Sequence, residues 1–144
     1  MFTCSKTYHD IPFAHRQHRH AGHCAFIHGH NWSIEIEFAC RELNECGFVV
    51  DFGGLGFLKE WIQTHLDHAC VFAKDDPKAV HLLKQHPDLF KPLMVESASA
   101  EGIAKFLFHT FDPLVREQTQ GRAWVRTLIL HEDIKNKVTY QPQP

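Results

Sequence analysis

The sequence predicts an α+β fold in which helices pack on one face of an antiparallel sheet. Three observations carry that prediction. His28, His30, Trp32, Ile34, Ile36 and Phe38 share one parity, while Ser33, Glu35 and Glu37 share the other. Successive side chains of a strand point to opposite faces, so this alternation marks a half-buried strand. Two later segments repeat apolar residues at helical spacing: Leu55, Leu58, Trp61, Ile62 and Leu66, then Ile103, Phe106, Leu107 and Phe111. An apolar run from Trp124 to Glu132 and a shorter one from Val138 to Gln141 close the chain. Two strands, helices, two strands is the order of a four-stranded antiparallel sheet with two main helices on one face.

Each element has a local reason. Phe13 and His15 share parity in the segment before His28, so a hairpin partner strand brings His15 alongside His28 and His30. The connecting loop, Arg16 to Ala21, is basic and polar. Phe48 to Val50 reads as a short strand, and Asp51 as the cap of a helix of roughly three turns ending at Leu66. Asp76 to His86 predicts a short additional helix, with Pro77 allowed in its first turn and Pro87 stopping it. Ser99 is placed to cap the second main helix. Pro113 should end that helix or follow its end closely. A turn near Lys135, Asn136 and Lys137 joins the last two strands.

Bulk properties narrow the class. A length of 144 residues suits a single domain over 1–144 with a substantial core. A net charge of −2 gives no electrostatic case for nucleic acid or an anionic membrane. No stretch has the length of an apolar membrane span, and the first residues lack a secretory layout. Five cysteines form an odd number without paired spacing, which suits a reduced cytoplasm better than a disulfide framework. Thirteen histidines favour metal binding, yet so many also means that spacing must select the ligands.

The selected set is His15, His28 and His30. His28 and His30 lie two apart on one strand face, about 7 Å along the backbone, and Gly29 between them allows close approach. Three imidazoles with an open fourth position are the donor set of a catalytic zinc. Cys24, four residues before His28, has three readings. It completes a closed four-ligand site, or stands off the metal as base or nucleophile, or is a buried inert thiol. Arg16 and Arg19 are candidates to meet an anionic substrate such as a phosphate chain, although such a run is more often a solvated loop. Asp67 and His68 make an adjacent carboxylate–imidazole pair suited to proton transfer, or a surface pair. Glu132 shares parity with Trp124, Leu128 and Leu130. On that face it can accept two parallel hydrogen bonds from a guanidine-like heterocycle edge, or turn out to water at the strand end.

Six motifs occur in order: Phe13-Ala14-His15, Cys24-x-x-x-His28-Gly29-His30-Asn31-Trp32, Val49-Val50-Asp51-Phe52, Leu66-Asp67-His68, Ser99-Ala100-Glu101 and Leu130-His131-Glu132. Over about Phe2 to Tyr140 the chain resembles the 6-pyruvoyl-tetrahydropterin synthase / 6-carboxy-tetrahydropterin synthase family. The resemblance implies the tunnelling fold, with subunits joined into a multistranded barrel, usually trimers paired into hexamers with active sites at the interfaces. It implies His15, His28 and His30 as zinc ligands and Cys24 as the catalytic base. Asp67 and His68 would be a proton relay which, with active sites at interfaces, would serve a neighbour's zinc. Glu132 would anchor a pterin, with Ser99 and Glu101 supporting it.

Within the family, the three residues between Cys24 and His28 look like the carboxy-synthase group of the queuosine and 7-deazaguanine pathway. The implied activity is 6-carboxy-5,6,7,8-tetrahydropterin synthesis from 7,8-dihydroneopterin triphosphate, with loss of triphosphate and acetaldehyde. A 6-pyruvoyl-tetrahydropterin synthase is the alternative, and a non-catalytic metal-binding module the more distant one. Four features depart from the family pattern: the long stretch Ala69 to Ala98, Phe13 before Ala14, Ala100 in place of a hydroxyl residue, and Asp133 where a threonine is expected.

Overall fold

The computed structural model describes residues 1–143. Its sheet has six strands rather than four: β1 (Phe2–His15), β2 (His28–Cys40), β3 (Cys70–Ala73), β4 (Pro92–Val95), β5 (Ala123–His131) and β6 (Lys137–Tyr140). The order across the sheet is β4-β3-β1-β2-β5-β6. The pairs β1–β2, β2–β5 and β5–β6 are antiparallel, as expected from the sequence. The two unexpected strands pair parallel, β3 with β1 and with β4. They bracket a helix and form a crossover unit, which accounts for the long stretch after Ala69. All four residues of β3 are buried, so it carries no alternation by which a strand is read.

Three helices are present: α1 (Gly56–His65), α2 (Pro77–Gln85) and α3 (Ala100–Gln118). Ser99 caps α3 as expected, and Asp76, read from sequence as the first residue of α2, is its cap. Asp76 accepts from the Lys78 and Ala79 N–H groups at the head of α2, and Ser99 accepts from Gly102 N–H at the head of α3. Asp51 instead caps a single 3-10 turn, Phe52–Gly54, just before α1. Pro113 does not end α3, which runs on to Gln118. It lies on the exposed side, where a lost backbone bond is open to water. The following turn is held by buried Val115 and by Asp112, whose carboxylate accepts from Val125 N–H and Arg116 Nε–H. Nor is Phe48 to Val50 a strand. The carbonyls of Phe48 and Val49 are satisfied by the Arg122 guanidinium at 3.2 and 2.8 Å rather than by a ladder.

α1 and α3 deliver Leu58, Ile62, Ile103, Leu107, Phe111 and Val115 onto Trp32, Ile34, Ile36, Phe38, Leu128 and Leu130 of the sheet. Each such fully buried side chain contributes about 2 kcal/mol of apolar burial. The other parity of β2 carries Glu35 and Glu37, which face His131, Arg126 and Thr127 of β5.

Two register slips tune the faces. In β5 the slip opposite Glu37 and Phe38 inserts Arg126, so Val125 enters the core and Trp124 leaves the parity of Leu128 and Leu130. The slip in β1 matters more. Tyr8 is opposite Ile34 and Ile11 is opposite Trp32, so His9 and Asp10 together face Ser33. The extra residue reverses the alternation. Before it Cys4 and Tyr8 pack against the core; after it Ile11 and Phe13 do, and His15 with them is buried. Asp10 occupies the left-handed region at φ +57, and its carboxylate accepts from Asn31 Nδ2 at 2.9 Å. Valine is strained there whereas glycine is not, so Asp10→Val should lose about 1–3 kcal/mol more than Asp10→Gly in urea unfolding. Equal losses would mean that this bulge does not depend on the left-handed residue.

Candidate active site

His15 ends β1, and His28 and His30 begin β2, with His15 directly opposite His28 and Phe13 opposite His30. The three rings converge: one nitrogen of each lies within 4.8 Å of the others. Trp32 forms the floor. It stacks on Phe13 at 4.4 Å, donates Nε1–H to the Phe13 carbonyl at 3.0 Å, and meets the His15 and His30 rings edge-on.

Hydrogen bonds on the far side of two rings set their orientation. His15 Nδ1–H donates to the Ala98 carbonyl at 2.7 Å, and His28 Nδ1–H to the Phe26 carbonyl at 2.7 Å. These bonds leave Nε2 of each ring as the lone-pair nitrogen. The Nε2 atoms of His15 and His30 are buried with no hydrogen-bond partner among the described residues. Two orphaned imidazole nitrogens beside a third are costly in an apolar pocket and natural around a cation, so the group fits a metal ion. Burial is the main reason that His15 is held below the ordinary histidine range. The Ala98 carbonyl and Glu132 oppose that shift, while His28 and His30 reinforce it. The neutral ring that results is the ligand form.

Gly29 does less than expected. A Cβ there would sit 3.6 Å from the Phe13 carbonyl, ordinary van der Waals contact. The crowded glycine is Gly102 in the first turn of α3, where a Cβ would meet the Ser97 carbonyl oxygen at 2.3 Å. That contact presses α3 against the Ser97–Ser99 segment, whose Ala98 carbonyl holds His15. No alternation or spacing marks this role in the sequence.

Beside the imidazoles is a cavity of about 330 Å³ lined by His15, Gln17, His20, Cys24, Ser99, Glu101, Glu132, Asn136 and Lys137 among others. Cys24 sits on a single 3-10 turn, His23–Ala25, and is exposed rather than buried. It is not a member of the converging donor group. Cys70, by contrast, is buried in β3, and burial pushes its thiol up to about 11. Glu132 Oε1 is 3.7 Å from His30 Nε2, too long for a hydrogen bond but close enough to act electrostatically. Its backbone N–H donates to Asn136. Asp133 closes the same turn by accepting from the Lys135 and Asn136 N–H groups, both at 2.7 Å. Those bonds hold its carboxyl below the ordinary range and give this departure from the family pattern a structural task.

Five of the residues expected from the sequence, His15, Cys24, Ser99, Glu101 and Glu132, thus line one cavity, and His28 and His30 adjoin His15. Asp67 and His68 are elsewhere. His68 Nδ1–H donates to Asp67 Oδ1 at 2.7 Å, at an exposed left-handed corner where His68 N–H also donates to the Pro12 carbonyl. Asp67 opens onto a separate hollow of about 530 Å³ with Lys6, Tyr8, Lys59 and Gln63. Arg16 and Arg19 do not line the cavity either; they face Asp76 and Asp75. Gln17 was not singled out by sequence, His20 was read only as an adventitious metal binder, and Asn136 and Lys137 only as a turn, because loop and turn residues carry no periodic signal.

The sequence model described as 6-pyruvoyl tetrahydropterin synthase matches residues 3–143. The chain belongs to that family. A 6-carboxy-5,6,7,8-tetrahydropterin synthase from Rickettsia typhi is 30% identical over 114 residues, spanning 78% of this chain and 82% of the relative. Among solved structures, an uncharacterised protein from Wolinella succinogenes superposes with a TM-score of 0.84 at 19% identity, over 99% of this chain and 98% of that one. The 6-pyruvoyl tetrahydropterin synthase of Caenorhabditis elegans gives 0.65 at 20% identity, over 99% and 96%. These likenesses place the curled sheet and its helices in the family's fold. Family membership makes the chain an enzyme of the tetrahydropterin synthase type, with lyase-type chemistry.

The buried neutral ring of His15 has a consequence for the metal-free protein. Below the ordinary histidine value of about 6.5 the unfolded chain takes up a proton that folded His15 refuses. Stability should therefore fall as pH drops through that value toward the lower folded one, and His15→Gln should flatten the slope in urea unfolding. An identical slope in the variant would contradict the assignment.

Proposed function

We propose that the chain is a zinc-dependent 6-carboxy-5,6,7,8-tetrahydropterin synthase acting on 7,8-dihydroneopterin triphosphate, releasing triphosphate and acetaldehyde. The observation that carries this reading is the separation of roles in one cavity: three imidazoles converge while Cys24, outside their donor group, shares the space with Glu132. The names of the curated relatives from Rickettsia typhi and Bacillus subtilis favour the carboxy product. So does the short gap between Cys24 and His28.

His15, His28 and His30 would hold zinc. The chemistry it supplies when bound is Lewis-acid polarisation of the substrate's side-chain hydroxyls. Cys24 acts as base, taking a proton from the side-chain carbon. Glu132 accepts two hydrogen bonds from the pterin's guanidine-like edge and keeps the ring in register, with Ser99 and Glu101 beside it. His68, oriented by the 2.7 Å bond to Asp67, relays protons.

Since that pair lies outside the cavity, it serves the site of a neighbouring copy, and the working unit is a homo-oligomer, trimer or hexamer, with barrel-joined sheets. Exposed Phe2, Phe48 and Phe52 around one apolar hollow support such an interface. We read residues 1–144 as one domain. We assign it to the cytoplasm on its five unpaired cysteines. Among the described residues no helix is long and apolar enough to cross a membrane.

Mass spectrometry of the product should find 6-carboxy-5,6,7,8-tetrahydropterin with acetaldehyde. A pyruvoyl product alone would move the chain to the other branch of the family, and no pterin turnover would leave only a metal-binding module. Cys24→Ala should keep the metal and lose about a hundredfold to ten-thousandfold in turnover. Loss of metal in that variant would instead make the thiol a ligand.

A further inference from the structure

The turn bearing Cys24 has almost no apolar anchor. Phe26 is 69% exposed and Ile27 44%, so the core does not hold this segment. What holds it is electrostatic. Gln17 N–H donates to the Cys24 carbonyl at 2.8 Å, closing residues 17–24 into a loop whose base is Arg16. Arg16 Nε lies 2.8 Å from Asp76 Oδ2, and Asp76 is 1% exposed. The N–H is not aligned on that oxygen, so the contact is one of charge rather than a directed hydrogen bond. The other oxygen of Asp76 caps α2. Next to it, Asp75 meets Arg19 and lies 3.5 Å from His18 Nε2. A corner of the β3–α2–β4 unit thus grips the Cys24 loop at three side chains.

We propose that Arg16 and Asp76 are positioning residues: the β3–α2–β4 unit holds the Cys24 loop in its working place through the ion pair of part-exposed Arg16 with buried Asp76. The proposal rests on the reading of Cys24 as the base. Removing one partner of such a pair leaves an uncompensated charge and frees the loop base. A reacting group displaced by about 1 Å can lose roughly a hundredfold in rate. The same geometry assigns Arg16 and Arg19 to the fold rather than to a triphosphate.

The test uses the zinc-loaded full chain and three variants, Arg16→Gln, Arg16→Lys and Asp76→Asn, the last keeping an oxygen to cap α2. Two readouts are followed: the kcat and KM split with the dihydroneopterin triphosphate, and the rate of Cys24 alkylation by iodoacetamide, resolved by peptide mass spectrometry. Exposed Cys46 is the internal control. For Arg16→Gln and Asp76→Asn we expect kcat to fall about tenfold to hundredfold with KM within about twofold, zinc content unchanged, and Cys24 alkylation altered at least about threefold while Cys46 is not. Arg16→Lys should recover most of both.

Lowered stability with unchanged kcat and unchanged Cys24 alkylation would overturn the proposal. If the parent protein turns over no pterin, the reading of Cys24 fails, but the alkylation ratio still decides whether the ion pair holds the loop. If the Arg16 and Asp76 variants do not fold, Asp75→Asn at the exposed pair should shift the alkylation ratio in the same direction by less. No shift there would count against the grip.

Discussion

Three imidazoles can share an ion only if they project from the same face of the sheet, and that rests on the phase of β1. The strand begins with even-numbered residues toward the core and ends with odd-numbered ones there; the change happens over His9 and Asp10. Without the extra residue His15 would point away from His28 and His30. Asn31, between His30 and Trp32, bonds Asp10 across the bulge and links the motif of β2 to the kink of β1. The same phase puts Phe13 on Trp32, so the floor of the site and its ligands are set by one irregularity.

The remaining parts come from three different directions. The Ala98 carbonyl, just before α3, orients His15. The β5–β6 turn, closed by Asp133, presents Glu132. The loop after β1 presents Cys24, and it is fastened to the β3–α2–β4 corner by charge. Strands therefore carry the three imidazoles, while a loop fastened by charge carries the thiol. Such a division buries His15, half-buries His28 and His30, and leaves the thiol exposed. Asp67 and His68 are bonded to each other on a surface apart from this cavity.

Much of this was legible in the sequence, and the gaps have physical causes. The period-two run from His28 to Phe38 showed which face its histidines take, because one side of β2 is buried and the other is charged. The cap Ser99 and first-turn Pro77 were readable, since helix starts favour a side-chain acceptor and tolerate proline. β3 was missed because burial on both faces erases alternation. Pro113 misled because tertiary packing carries α3 past it. Arg16 and Arg19 were read as a solvated loop or phosphate ligands, and neither as ion-paired, because charge in a loop is visible in a sequence while its partner in space, fifty or more positions on, is not. The donor bond to Ala98 is invisible for the same reason.

The account stands on imidazole-only ligation with the thiol free. X-ray absorption at the zinc edge of the metal-loaded protein measures this directly, because a zinc–sulfur shell near 2.3 Å is distinct from nitrogen and oxygen at about 2.0–2.1 Å. The predicted spectrum contains imidazole scattering from three rings, no sulfur, and no change in Cys24→Ala. A sulfur shell that disappears in that variant would contradict the account.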